Sequence, residues 1–250
     1  GAAKAVKKAG RTAADGAIAV AASAEAVAIV EVNCETDFVA KGDEFQNFTK
    51  AAAAAALAAK AGNVEQLAAA KSGGQTLEEI RKTMVAKIGE NITLRRAELV
   101  MSAGGPVSTY IHAGNRIGVV VALGKGDNEL GKDIAMHVAA QRPQYLNAEQ
   151  VPADAQAAER KIIEAQTAEQ SAGKPPEIVK KMVEGKLRKY LSEITLLGQA
   201  FVKDPDQTVE KVLAARGGSV VRFVRFEVGE GIEKQATDFA AEVAAMTKKH

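Results

Sequence analysis

The feature that most constrains this chain is that it repeats itself. Gln75-Thr76-Leu77-Glu78-Glu79-Ile80 leads through a helical stretch into a strand ending Arg96-Ala97-Glu98-Leu99-Val100. Gln207-Thr208-Val209-Glu210-Lys211-Val212 echoes it and leads into Arg222-Phe223-Val224-Arg225-Phe226-Glu227-Val228. The apolar run at 28–32 is echoed in the same way by residues 118–122. A repeat on this scale implies two units with one element order. The copies differ in length, because Val30 to Thr76 spans 46 positions and Val120 to Thr208 spans 88, an excess of 42. The surplus falls between 151 and 190, where two charged helical stretches flank Gly173-Lys174-Pro175-Pro176, a run that breaks a helix. Ala158, Ile162 and Ala165, then Ile178, Met182 and Gly185, recur at spacings of three and four, the narrow seam of an antiparallel helix pair. Each arm reaches roughly 25–30 Å at 1.5 Å per residue. Such an arm suits a partner or a second copy of the chain, and a merely solvated hairpin is the plain alternative.

Each copy reads as mixed strand and helix. Asp15-Gly16 is a turn signal, and residues 17–20 and 27–32 read as a hairpin around Ser23 and Ala24. Residues 43–60 are helical, with Phe45, Phe48 and the alanines on one side and Gly62 as the stop. A helix over 64–71 follows, and Thr76 with Glu79 forms a capping box for one running to about Lys87. Residues 92–101, with Arg95, Arg96 and Glu98 among apolar neighbours, read as a strand with one wet face. Ile111 and residues 117–123 supply further strands, and residues 236–248 an amphipathic tail helix carrying Phe239, Val243 and Met246. The fold class is α+β: two related α/β subdomains from an internal duplication, an inserted antiparallel coiled-coil hairpin, and a C-terminal helix. The divisions are 1–16 (connecting segment), 17–105 (first subdomain), 106–150 with 191–231 (second subdomain), 151–190 (hairpin) and 232–250 (tail module).

Composition removes several function classes. The 33 basic and 31 acidic residues of the 250 leave a formal charge of +2, no field for gripping a phosphate backbone, so no direct nucleic-acid partner is expected. Alanine supplies much of the 47% apolar share and tryptophan is absent, which favours helices packed closely through small side chains. One cysteine, Cys34, excludes an internal disulfide and fits a cytoplasmic protein. The Ala-rich run at 51–59 is too short to cross a bilayer, so no membrane segment is expected. The start, Gly1-Ala2-Ala3-Lys4, lacks methionine and the features of a signal peptide, which points to a truncated or processed chain.

No catalytic constellation stands out. Gly118 to Gly124-Lys125-Gly126 has one residue too many between its glycines for a phosphate loop and no Ser or Thr after the lysine. Its apolar filling marks a buried strand. His112, His137 and His250 are scattered without metal-ligand spacing. Cys34 reads as a small buried thiol at a strand end, and Glu78-Glu79 as acids favoured by a helix start. Neither a cofactor, a metal nor a catalytic group is expected, and the chain reads as a binding protein rather than an enzyme. Asp37 and Phe38 differ, since they follow a strand and precede the helix near Asp43, on a connection where side chains can face outward. An exposed ring beside an acid makes a wedge for another protein. Equally, the ring could tuck back under its own helix, with Asp37 as a turn or cap residue.

Glu31-Val32-Asn33-Cys34-Glu35-Thr36-Asp37-Phe38-Val39-Ala40-Lys41 resembles the signature of the elongation factor Ts family over all eleven positions. Further matches run along the chain: Lys7-Lys8-Ala9-Gly10, Lys87-Ile88-Gly89-Glu90-Asn91, Arg116-Ile117-Gly118-Val119, Ile134-Ala135-Met136-His137-Val138-Ala139 and Phe226-Glu227-Val228-Gly229-Glu230-Gly231-Ile232. The resemblance implies a guanine-nucleotide exchange factor for elongation factor Tu in translation elongation. Asp37 and Phe38, with Thr36 and Val39, would then enter beside the magnesium site of Tu and disturb the ion and the phosphate loop. Lys8, Ile88, Gly89, His112 and Val202 would lie on the surface that grips Tu, and the tail helix would brace its GTPase domain. Lys203 departs from the apolar residue of some relatives, and the family's small N-terminal helical domain has no counterpart in this sequence. Two other classes compete, an adaptor working through the hairpin and an RNA-associated protein using the lysines of 174–189.

Overall fold

The structure is a computed structural model that describes residues 2–233; the tail helix expected at 236–248 lies outside them. Helix α1 (Ala2–Lys8) precedes the hairpin of β1 (Asp15–Ala22) and β2 (Ala26–Cys34). Next come α2 (Asp37–Lys41), α3 (Asp43–Ala59), α4 (Val64–Ala69), β3 (Lys71–Ser72), β4 (Gln75–Thr76), α5 (Leu77–Ile88) and β5 (Thr93–Met101). The second half holds β6 (Val107–Ile111), β7 (Ile117–Lys125), α6 (Asn128–Gln141), α7 (Ala153–Gln170) and α8 (Pro176–Ile194). It closes with β8 (Ala200–Phe201), β9 (Asp204–Thr208), α9 (Val209–Ala215) and β10 (Ser219–Glu227). Helices segregated onto antiparallel sheets make the chain α+β.

Two three-stranded sheets carry the molecule, in the orders β1-β2-β5 and β10-β7-β6, every pairing antiparallel. All nine residues of β2 are buried. The cause is stacking, since strand side chains alternate between faces. Ala28, Val30 and Val32 pack with Phe45, Phe48 and the alanines of α3, whereas Val27 and Ile29 pack against Val120 and Ala122 of β7. Val119, Val121 and Leu123 turn the other way onto Ile134 and Val138 of α6. The layers therefore run helix, sheet, sheet, helix, and both central strands read as unbroken apolar runs because each is covered on both faces. A Cβ on Gly118 would come 2.5 Å from Ile18 Cγ2, so this glycine lets the sheets approach.

Thr76 accepts from the Glu79 amide and Glu79 reaches back to the Thr76 amide, the reciprocal cap expected from the sequence. Thr208 caps α9 alike through the Lys211 amide, but lysine at the third position cannot return the bond. Helix α3 closes on Lys60 in the left-handed region (φ 53°), within one residue of the helix expected over 43–60, and Gly62 lies just beyond it. The helix expected over 64–71 stops at Ala69, and Lys71 and Ser72 pair instead with Gln75 and Thr76 across two glycines of positive φ.

Helices α7 and α8 pack against each other along a seam other than the expected one. Ile163, Val183 and Leu187 are buried there beside Tyr190 and Leu191, whereas Ile162 and Ile178 face solvent. The shift is one residue. Ile162 and Ile163 are adjacent, so spacing alone does not say which points inward. Arg160 Nη1 to Glu184 Oε1 at 2.5 Å and Lys186 Nζ to Gln170 Oε1 at 2.8 Å flank the seam.

A buried acid ties the sheets together. Glu31, fully buried, accepts from Arg96 Nε at 2.6 Å, Arg95 Nη1 at 3.1 Å, Asn33 Nδ2 at 2.9 Å and the Gly229 amide at 2.8 Å. The Arg96 guanidinium lies 4.1 Å from the centre of the Phe226 ring and donates to the Glu227 carbonyl. Arg95 and Arg96, expected on a wet face, are thus turned onto a charge and onto the other sheet.

Candidate functional site

Strand β2 ends on Cys34, fully buried, with its thiol donating to the Thr36 carbonyl at 3.2 Å. Burial, first, and then the carboxylates of Glu90, Asp15 and Glu35 push this thiol up to about 12, so it stays protonated and is no nucleophile. The connection that follows is a one-turn helix. Thr36, in extended conformation, caps α2 by accepting from the Val39 amide at 3.3 Å. Asp37 and Lys41 pair across the turn at 3.3 Å, with side chains 55% and 80% exposed, a contact worth at most about 0.5 kcal/mol. Ala40 is buried and Val39 packs on the core beside it, which leaves Phe38 on the outer side, 86% exposed. The alternative of a ring tucked under its own helix does not occur. A ring left in water forgoes the ~1.5–3 kcal/mol its burial would contribute.

Two side-chain exchanges brace this helix. Glu90 Oε2 accepts from the amides of Glu35 at 2.9 Å and Thr36 at 3.1 Å, and Glu90 Oε1 accepts from the Thr36 hydroxyl at 2.6 Å. In return Glu35 Oε2 accepts from the Asn91 amide at 2.7 Å. Helix α5 ends just before this point at Ile88, with Gly89 in the left-handed region (φ 85°), so Ile88 and Gly89 lie beside the base of α2. Lys8 joins the same cluster, because its carbonyl accepts from the Arg11 amide at 3.0 Å and the Arg11 carbonyl accepts from Asn91 Nδ2 at 2.7 Å.

His112 is brought in from the other sheet. It opens a 3-10 turn, Ala113–Asn115, and its ring is exposed, with Nδ1 3.0 Å from the Tyr110 hydroxyl. Asn115 Nδ2 donates to Gln46 Oε1 at 2.8 Å, and Gln46 Nε2 donates to the Ala40 carbonyl at 2.6 Å. Two side chains thus span from the His112 turn to the end of the Phe38 helix. Val202 stands apart from this cluster. Its amide donates to Nδ1 of the buried His137 at 3.1 Å, which leaves Nε2 to carry the proton toward Gln199 Oε1 at 2.9 Å. Burial, opposed by the Gln199 bond, holds that imidazole below its usual 6.5.

The resemblance singles out Thr36 to Val39, Ile88, Gly89 and His112, whereas the side chains of Glu35, Gln46, Glu90 and Asn115, which join these segments in the structure, were not among the expected site residues. Only Gly89 followed by Glu90-Asn91 signalled a helix end there, and no local pattern names a partner 54 residues away. Among the described residues, no group of three or more His, Cys, Asp or Glu side chains is disposed to hold a metal, and no helix is long and apolar enough to cross a membrane.

The sequence model of the family described as "Elongation factor TS" matches residues 35–230. The chain belongs to the elongation factor Ts family. The elongation factor Ts of Methylococcus capsulatus is 57% identical over 251 aligned residues, covering 99% of this chain and 85% of that protein. Those of Hydrogenovibrio crunogenus and Francisella tularensis subsp. novicida are 56% and 51% identical, over 98% and 99% of this chain and 83% and 84% of theirs. Membership of the elongation factor Ts family marks the chain as a factor of translation elongation.

Proposed function

We propose that the protein is a guanine-nucleotide exchange factor that binds GDP-loaded elongation factor Tu and promotes GDP release by disturbing the magnesium and phosphate site. The observation that carries this reading is Phe38, 86% exposed at the outer side of a helix braced from two directions. Thr36, Asp37, Phe38 and Val39 act as the wedge. Lys8, Ile88, Gly89 and His112 form the docking surface around it, and Val202 a separate contact on the second half. Exchange of this kind needs no acid, base or resident cofactor. The factor binds the nucleotide-free partner more tightly than the GDP-bound one, and linkage requires GDP to weaken its grip by the same ratio.

Magnitudes favour a broad surface. Reversing a 1:99 population takes about 5.5 kcal/mol of differential binding. One buried aromatic supplies roughly 1.5–3 kcal/mol. The wedge therefore works within a wide contact, which fits the matching strand order of the two sheets and the paired caps at Thr76 and Thr208. We read the halves as duplicated subdomains divided near residue 105. The α7–α8 pair is an inserted coiled-coil arm, and the exposed Ile162 and Ile178 favour its use against a further partner or a second copy.

The test is the release of a fluorescent GDP from elongation factor Tu. Wild-type chain accelerates it, and Phe38→Ala loses most of the acceleration with an unchanged circular dichroism spectrum. Binding without acceleration would favour the adaptor reading instead, and salt-sensitive binding to RNA alone would favour the RNA reading.

A further inference from the structure

We propose that Glu90 is a positioning residue for exchange: its carboxylate locks the Phe38 helix onto the Ile88-Gly89 strip, so that both meet the partner as one face. The inference rests on the exchange reading above. A helix of one turn does not hold itself, since its nucleation fixes several dihedrals for a single bond. The side-chain cap of α2 is the Thr36 hydroxyl, which accepts from the Val39 amide. That hydroxyl has one hydrogen, and Glu90 Oε1 takes it at 2.6 Å, which turns the free lone pairs toward the helix. Glu90 Oε2 meanwhile collects the amides of both residues that precede α2, where the helix dipole also favours negative charge. Three charge-assisted bonds thus converge on one carboxylate, and they fix where α2 starts and which way it points. The returning bond from the Asn91 amide to Glu35 Oε2 closes the exchange. Glu90 follows Gly89 directly, so the strip and the wedge share one anchor.

The experiment is a cycle of four proteins, wild type, E90Q, F38A and E90Q/F38A, each titrated against GDP-loaded elongation factor Tu. Glutamine keeps the shape and one acceptor oxygen but cannot receive all three donors. Misaiming the ring lowers the release rate at saturation by on the order of tenfold, while the half-saturating concentration moves by less than about threefold, because the broad docking surface is intact. With Phe38 already absent, E90Q changes the saturating rate by less than about twofold. A full saturating rate in E90Q, or equal proportional losses with and without Phe38, overturns the inference. Should E90Q lose its fold, E90D, which keeps the charge but draws the carboxylate back from the Glu35 and Thr36 amides, enters the same cycle with the same expectations and the same overturning results. Failure of wild type to accelerate release would overturn the exchange reading, and the inference with it; full acceleration with E90Q defective only through weaker binding overturns the inference alone.

Discussion

At the scale of single residues, Phe38 and Cys34 sit four positions apart and meet opposite fates. The strand delivers Cys34 into the core, and the one-turn helix carries Phe38 out of it. The thiol, raised from 9.0 to about 12, stays protonated in the folded chain. An aromatic disulfide reagent at pH 8 is therefore expected to leave it unmodified, and to titrate one thiol once denaturant is added. The linked effect has a definite sign. A group whose folded pKa is raised contributes stability that is complete below 9 and lost as pH climbs toward 12, so the urea midpoint falls over that window, less so in Cys34→Ala. Both fates were legible in part. The apolar run ending at Cys34 predicts burial, and an acid and a ring after a strand predict an exposed tip. Which way the ring points was not legible, because the bonds that hold the two ends of its helix come from Glu90 and Gln46, and only the assembled chain brings them there.

At the scale of elements, local rules worked where a bond closes within a few residues. The Thr76–Glu79 cap was readable because both partners lie in one turn. Thr76→Ala is expected to cost ~1 kcal/mol in urea unfolding, and Thr208→Ala less, since its cap is not reciprocated. Local rules failed for β3 and β4, two residues each and too short for any period, and for the helical pair, where neighbouring isoleucines fit adjacent registers equally well. The β8–β9 hairpin hangs on His137. Its neutral form accepts from the Val202 amide, and burial depresses its pKa, so the stability it contributes is present above 6.5 and lost as pH falls through the lower folded value. Hydrogen exchange of the Val202 amide, corrected for its intrinsic pH dependence, should speed up on acidification toward pH 5, whereas amides of β2 should not.

At the scale of the whole molecule, the apolar runs at 28–32 and 118–122 announced two buried strands, each the middle one of a three-stranded antiparallel sheet. Their stacking face to face was not announced, because nothing in either run says what covers its second face. The Glu31 cluster was hidden for a related reason: alternating charges on residues 92–101 look like a wetted face until the other sheet lies over them. Glu31→Gln leaves two guanidiniums, 23% and 28% exposed, without their shared counter-charge. The expected loss is about 3 kcal/mol in urea unfolding, the lower end for a buried pair because water still reaches both arginines.

The link from Asn115 through Gln46 to Ala40 gives the molecule the character of a caliper. One jaw is Phe38 and the other His112, each mounted on a different sheet, with their spacing fixed by two amide side chains and by the stacked strands behind them. On the exchange reading proposed above, what such an instrument would measure is a distance on elongation factor Tu. Under that same proposal, a partner whose two sockets drift apart as its nucleotide site reorganises would satisfy one jaw or the other, but not both.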